Sequence, residues 1–194
     1  MGTNGNGIRV GIIGCGRNGM GHAQRLAAIE DVKIAACMDV DPERIRLFEE
    51  TFPGIRGYGE LENMFATESL NAVCISSIHS AHYPQAKAAL QHKCHVLLEK
   101  PMATEEAACR ELVRMAQENG LILQVDFECR DSGLYRRVKE IIAAGELGRL
   151  LSMTYIRYRG RWAGKGKSWY YRRERAGTLS VIETCHYIDL MRYW

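Results

Sequence analysis

No run among the 194 residues approaches the roughly 18–20 consecutive apolar positions that a membrane-spanning helix needs. That excludes a helical span, and no membrane partner is expected. Seven cysteines are present, yet no two stand in a C-x-x-C pair. Several sit inside apolar runs, as in Ala72-Val73-Cys74-Ile75. This scatter argues against disulfide and zinc frameworks and reads as reduced, mostly buried thiols of a cytoplasmic protein. Charge of one sign is not in excess. Lys and Arg number 26 against 23 Asp and Glu, a net +3 that points to no particular partner. No internal repeat or low-complexity tract appears. Residues 1–7 are small and polar, without the apolar core of a secretory signal, and read as a loose tail. Asn6 stands where a myristoylation pattern wants Ser or Thr.

What is present is an ordinary globular composition, 46% hydrophobic and 25% charged, laid out as short apolar runs alternating with helical patterns. Strands are expected at 8–13, 32–38, 72–76, 95–98 and 121–125. Helices are expected at 18–29, 42–51, 82–91 and from an N-cap at Thr104 to about 119, with Gly120 as the stop signal. Strands alternating with helices of this length imply βαβ units and a doubly wound parallel α/β sheet over residues 8–126. The character changes after Asp126. A helix over 132–144, a turn at Gly145-Glu146-Leu147-Gly148, a one-face-open strand over 150–158 and a helix over 181–194 are expected. These cannot close a domain by themselves. Residues 127–194 are therefore read as the beginning of a second domain that is cut off.

The strongest local signal is Gly14-Cys15-Gly16-Arg17-Asn18-Gly19, which fits G-x-G-x-x-G, follows a strand and opens a helix. The first glycine permits a tight turn, Gly16 lets the backbone approach a pyrophosphate, and Gly19 lets helix and strand pack closely. The helix N-terminus offers free N–H groups to phosphate. Such glycines can also merely make a turn. Here Asp39 ends the second strand, twenty residues past Gly19. A carboxylate there suits ribose hydroxyls and repels a 2′-phosphate, so NAD is the expected cofactor and NADP the lesser alternative, with Asp41 and Arg44 nearby.

Glu99-Lys100-Pro101 closes a further strand pattern, at the end that faces the ligand crevice of a parallel sheet. With this segment the chain resembles the Gfo/Idh/MocA oxidoreductases. The resemblance runs from Ile8 through the Gly14–Gly19 loop, Asp39, Val73-Cys74-Ile75-Ser76-Ser77 with His79 and His82, and His95-Val96-Leu97-Leu98-Glu99-Lys100-Pro101. It continues through Gly145-Glu146-Leu147-Gly148 and ends with Gly177-Thr178-Leu179 ahead of His186-Tyr187-Ile188-Asp189. It implies a Rossmann domain followed by an α/β domain with a large, mostly antiparallel open sheet that covers the nicotinamide and holds a sugar or polyol. It implies Lys100 and His186 as catalytic residues. Ser76, Ser77, His79 and His82 would lie along the cofactor, Glu99 near the nicotinamide ribose, and Arg161 and Trp162 where some members reach back to it.

This chain departs from the family at several points. The acid usual four residues before the histidine is Ile182 here, while Glu183, three before His186, shares its helical face. Ala176-Gly177 replaces a Gly pair, Ser77 replaces a Pro, and the chain is shorter than its family. The chemistry is coherent on its own terms. Oxidising an alcohol requires a base, which neutral His186 can be, and Lys100 as ammonium can stabilise developing alkoxide charge. No set of three or four converging ligands shows in the sequence, so no metal is expected. The aromatic stretch 157–175 holds eight Lys/Arg and one Glu, leaving 18 basic against 22 acidic residues elsewhere. Its charge is local, and no nucleic-acid partner is expected. It reads as an anion- or sugar-binding wall, or as a solvated or interface strand. The expected function is an NAD-dependent sugar or polyol oxidoreductase, in full length a homo-oligomer through the second-domain sheet. The alternatives are a redox-neutral NAD-dependent glycosidase of the same family and a non-catalytic NAD-binding fragment.

Overall fold

A computed structural model of the chain describes residues 7–158, 169–178 and 183–194. The apolar runs are strands because their small and β-branched side chains are buried on both faces of one sheet. They are β1 (Ile8–Ile13), β2 (Val32–Met38), β3 (Arg56–Tyr58), β4 (Ala72–Ile75), β5 (His95–Glu99) and β6 (Leu123–Asp126). All pair in parallel, in the order β3-β2-β1-β4-β5-β6. The connecting helices are α1 (Arg17–Ala27), α2 (Pro42–Thr51), α3 (Leu61–Thr67), α4 (His79–Gln91) and α5 (Glu106–Glu118).

Alternation along the strands divides the core between the two faces. Ile12, Cys37 and Cys74 pack with Ala23 and Phe48 on one side. Ile13, Met38 and Ile75 pack with Leu90 and Leu112 on the other. This is the doubly wound α/β fold that the alternation of elements predicts. The strand order reverses between β1 and β4, which opens a crevice at their carboxyl ends. The four cysteines at 15, 37, 74 and 94 are buried, and all seven are free thiols.

Several elements differ from expectation. β3 and α3 were not expected, because three and seven residues are too few to display a period. Helix α4 starts at His79 rather than at 82, which places Pro84 inside it. The cost is small there, since the carbonyl that loses its donor belongs to Ser80, an exposed residue. Helix α5 is preceded by Glu105 at the N-cap, so Thr104 is not the cap.

After β6 come a 3-10 turn (Glu128–Asp131), α6 (Gly133–Ala143), a second 3-10 turn (Trp169–Tyr171), α7 (Arg173–Ala176) and α8 (Cys185–Tyr193). The strand expected over 150–158 is not formed. A strand needs a neighbour for its backbone N–H and C=O groups, and the described segments that follow are helical. The helix expected over 181–194 is regular only from Cys185, and residues 181 and 182 lie outside the described set. Arg130 ties this part together. Its guanidinium donates to both oxygens of the buried Asp189 and lies over the rings of Phe127 and Tyr193. Among the described residues no helix is long and apolar enough to cross a membrane.

Helix α1 meets β1 so closely that a Cβ at Gly19 would stand 1.9 Å from the Gly14 carbonyl oxygen. At Gly21, on the same helix, the nearest atoms are the flexible tip of Arg25 at 3.4 Å. Gly19→Ala is expected to lower the unfolding free energy by about 1–3 kcal/mol. Gly21→Ala is expected to raise it by up to about 1 kcal/mol through helix propensity. Urea unfolding of the two variants checks the opposite signs.

Candidate active site

A cavity of about 640 Å³ occupies the crevice. Gly14, Gly16, Arg17 and Asn18 line it from the loop between β1 and α1, Asp39 and Arg44 from the β2 side, and Ser76, Ser77, His79 and His82 from the segment after β4. Glu99 and Lys100 line it from the end of β5, and Trp169, Tyr170 and Arg175 from the later basic stretch. The sheet explains this convergence, because parallel strands bring all their carboxyl ends to one edge.

Gly14 has φ +91°, and a Cβ on it would stand 2.6 Å from the Ser77 nitrogen. The turn therefore requires glycine on both conformational and steric grounds. Gly16 caps α1 without a side chain, with only the Arg44 tip within 4 Å of where a Cβ would lie. Its backbone is thus uncovered on the side where a Cβ would lie. Cys15 turns into the core instead. Its N–H donates to Asp39 Oδ2 at 2.7 Å. Asp39 is 6% exposed, and its Oδ1 accepts from the Asp41 N–H at 3.0 Å. The carboxylate braces the glycine loop while lining the cavity. Arg44 Nη1 stands 3.8 Å from Asp39 Oδ2.

On the opposite wall His82 is fully buried, with Nδ1 2.7 Å from the Pro101 carbonyl and Nε2 3.3 Å from the Ser77 carbonyl. It straps the segment after β4 to the Glu99-Lys100-Pro101 turn, whose Lys100–Pro101 bond is cis. Ser77 Oγ donates to Gln85 Oε1 at 2.5 Å. His79 Nδ1 lies 2.9 Å from the Ala176 carbonyl, and its ring meets Trp169 and Tyr170 edge-on. This histidine joins the later segment to the Rossmann sheet. Burial pushes its pKa down to about 4.

Glu99 Oε1 sits 3.1 Å from Asn18 Nδ2 and 3.1 Å from His22 Nε2. Burial would raise its pKa, but the His22 bond and the Lys100 charge outweigh it and hold the group below the ordinary carboxylate value. Asp126, opposite Glu99 in the β5–β6 register, is raised by burial and by the Glu99 charge.

His186 and Glu183 do not line this cavity. The His186 ring is buried, with Nδ1 3.6 Å from Glu128 Oε2 and 3.9 Å from Cys129 Sγ. Burial first and the Lys100 charge second lower its pKa, so the ring is neutral at pH 7. Glu183 accepts from Tyr170 Oη at 2.8 Å and lies 3.4 Å from Arg157 Nη1. Arg161 and Trp162 lie outside the described residues.

The sequence alone reads His22 as an ordinary surface or packing residue, and it does not single out Asp126, Glu128 or Cys129. The signal for His22 was available, since Asn18 and His22 are four apart and share a helical face. Two trios of ligand-bearing side chains also converge where the sequence displayed none: Glu128, Cys129 and His186, and His22, Glu99 and Asp126. They come from separate elements, and only folding reveals them.

Residues 8–127 match the GFO/IDH/MocA model, described as an oxidoreductase family with an NAD-binding Rossmann fold, and residues 135–194 match a GFO/IDH/MocA C-terminal domain. The chain belongs to the GFO/IDH/MocA oxidoreductase family. It is 28% identical over 190 residues, 95% of its length and 47% of the relative's, to 1-carboxy-3-chloro-3,4-dihydroxycyclo hexa-1,5-diene dehydrogenase of Comamonas testosteroni. It is 32% identical over 151 residues, 77% of the chain and 44% of the relative, to inositol 2-dehydrogenase 1 of Mycolicibacterium vanbaalenii. The WlbA dehydrogenase from Bordetella pertussis, solved with NADH and UDP-GlcNAcA, superposes with a TM-score of 0.82 at 27% identity, over 99% of this chain and 56% of that one. The chain spans about half the length of the curated relatives it matches.

The pKa of His79 has a consequence for stability. An unfolded chain protonates this histidine near its ordinary value of 6.5, whereas the folded chain does so only near 4. Stability is therefore full above pH 6.5 and is lost as pH falls from there towards 4. His82 and His186, also lowered, act in the same direction. His79→Asn retains a side-chain donor for the Ala176 carbonyl without a titrating ring. Its urea midpoint is expected to fall less than that of the unaltered protein between pH 7 and pH 4.5. Equal falls would contradict this assignment.

Proposed function

We propose that this chain is part of an NAD-dependent dehydrogenase acting on a hydroxyl–carbonyl pair of a polyol or sugar derivative. The observation that carries the reading is one crevice that holds the glycine loop, Asp39, Glu99 and Lys100 together. The substrate class is supported by the relatives, whose names include inositol dehydrogenases and a UDP-sugar complex.

In this reading Gly14, Gly16, Arg17, Asn18 and Gly19 hold the pyrophosphate, with Cys15 fixing the loop. Asp39 binds the adenosine ribose and favours NAD over NADP. Ser76, Ser77, His79 and His82 lie along the cofactor and Glu99 meets the nicotinamide ribose; Arg161 and Trp162 keep only the cofactor-contacting role that the family resemblance implies. Bound NAD supplies the acceptor for hydride. Lys100 donates a hydrogen bond to the reacting oxygen and stabilises its charge. His186 takes the hydroxyl proton, which its neutral state permits. Glu128 and Glu183 are the acids available to steady that histidine.

In this reading the domain boundary falls at 126/127; one family match that ends at 127 and another that starts at 135 support a division in this region. Residues 127–194 begin a substrate and oligomerisation domain with a mostly antiparallel open sheet. The exposed Leu151, Ile156 and Tyr158 support a face there that further strands or a second copy would cover.

The test is NADH formation, followed by its near-ultraviolet absorbance, across inositols, sugars, sugar acids and aryl glycosides. At least one is expected to give turnover that falls about 10²–10³-fold in Lys100→Ala. NADH binding with no turnover across the panel would favour a non-catalytic module. Aglycone release without net NADH would favour the redox-neutral reading.

A further inference from the structure

A buried polar cluster beside the cavity centres on a residue with no role so far. His22 lies on α1 with its side chain 8% exposed. Its Nδ1 is 3.2 Å from Arg25 Nη2, and its Nε2 is 3.1 Å from Glu99 Oε1 and 3.4 Å from Asp126 Oδ2. The assignment of its proton follows from chemistry. A guanidinium only donates, so Nδ1 must present its lone pair to Arg25. The hydrogen is then on Nε2, directed at the two carboxylates.

Two carboxylates that face each other across the end of β5 and β6 repel, and the burial of each adds to the cost. A neutral Nε2–H between them favours the charged form of the acid it meets best, which is Glu99. Asn18 Nδ2 supplies a second donor to the same oxygen. The chain of hydrogen bonds therefore runs from Arg25 through His22 to Glu99, the accepting carboxylate, which lines the cavity with Lys100. A dinucleotide laid with its adenosine ribose on Asp39 crosses β1 towards β4 and β5, which brings its nicotinamide half to Glu99.

We infer that His22 is a positioning residue that holds Glu99 as an oriented carboxylate and so biases the site towards the cationic, oxidised nicotinamide over the neutral, reduced one. This rests on the proposed binding of NAD. It adds a residue that touches neither cofactor nor substrate, and an effect on the ratio of two affinities.

Two measurements test it. In the nucleotide-free protein at pH 7, the ring nitrogen-15 shifts of His22 are expected to report a protonated Nε2 and a bare Nδ1. A protonated Nδ1, or a cationic ring, would overturn the inference whether or not NAD binds. Titration calorimetry then compares NAD+ with NADH. Removing the donor in His22→Leu is expected to weaken NAD+ relative to NADH by about tenfold, the effect of losing one nearby negative charge in a partly screened site. His22→Gln, which keeps an N–H near the Nε2 position, is expected to stay within about threefold of the original ratio. Glu99→Gln should reproduce the His22→Leu shift, and the double variant should add nothing further. Equal weakening of both nucleotides in His22→Leu would mark a purely structural role and overturn the inference. An unaltered protein that binds neither nucleotide would overturn the NAD reading and this proposal with it, even if the tautomer were as expected.

Discussion

The backbone of α1 rests against the carbonyl of Gly14, with no room between them for a methyl group at Gly19. Most of the site depends on that approach. It brings the first turn of the helix, with its unpaired N–H groups, over the crevice between β1 and β4. It also carries Asn18 and His22 across to β5, where they meet Glu99. Held further out, α1 would lose both its phosphate-facing end and its bonds to the carboxylate. The same packing seats Ala23 and Cys15 in the core, so burial enforces the geometry that binding uses.

The parallel sheet then sets an electrostatic problem at its carboxyl edge. Asp39 directly follows β2, Glu99 and Asp126 end β5 and β6, and all are at least partly withdrawn from water. Each is handled differently. Asp39 takes a backbone N–H from the glycine loop and another from Asp41. Glu99 takes side-chain donors from α1 and the nearby Lys100 charge. Asp126 is left with the weaker contact to His22 and shifts towards its neutral form. The result is a crevice with fixed negative charge at the β2 and β5 sides and free N–H groups between them. That pattern suits a molecule with hydroxyls or positive charge at its ends and phosphate in the middle.

Much of this was legible in the residues. Strands β1, β2, β4 and β5 announce themselves as apolar runs, and the glycine spacing, Asp39 and Glu99-Lys100-Pro101 lie within or beside them. Cavity-lining residues that follow a strand directly were found because a parallel sheet fixes where strand ends go. The pattern failed where the cause is not local. Strand β3 and helix α3 are too short to carry a period. The start of α4 is decided by packing of His79 and His82 rather than by Pro84. The Tyr- and Ile-rich 150–158 segment has strand composition, yet it lacks a partner among the described residues and forms no strand. The grouping of His22 with Asp126, and of Glu128 and Cys129 with His186, joins residues about 57 to 104 apart in sequence, and no local spacing reveals it.

The central claim is that one dinucleotide lies across the carboxyl edge of this sheet, from Asp39 to Glu99 and Lys100. The most direct measurement is a crystal structure of the chain grown with NAD+. The account predicts the adenosine ribose hydroxyls on Asp39, the pyrophosphate over Gly16 and Arg17, and the nicotinamide ribose within hydrogen-bond distance of Glu99. A nucleotide bound elsewhere, or one whose nicotinamide end turns away from Glu99 and Lys100, would contradict it.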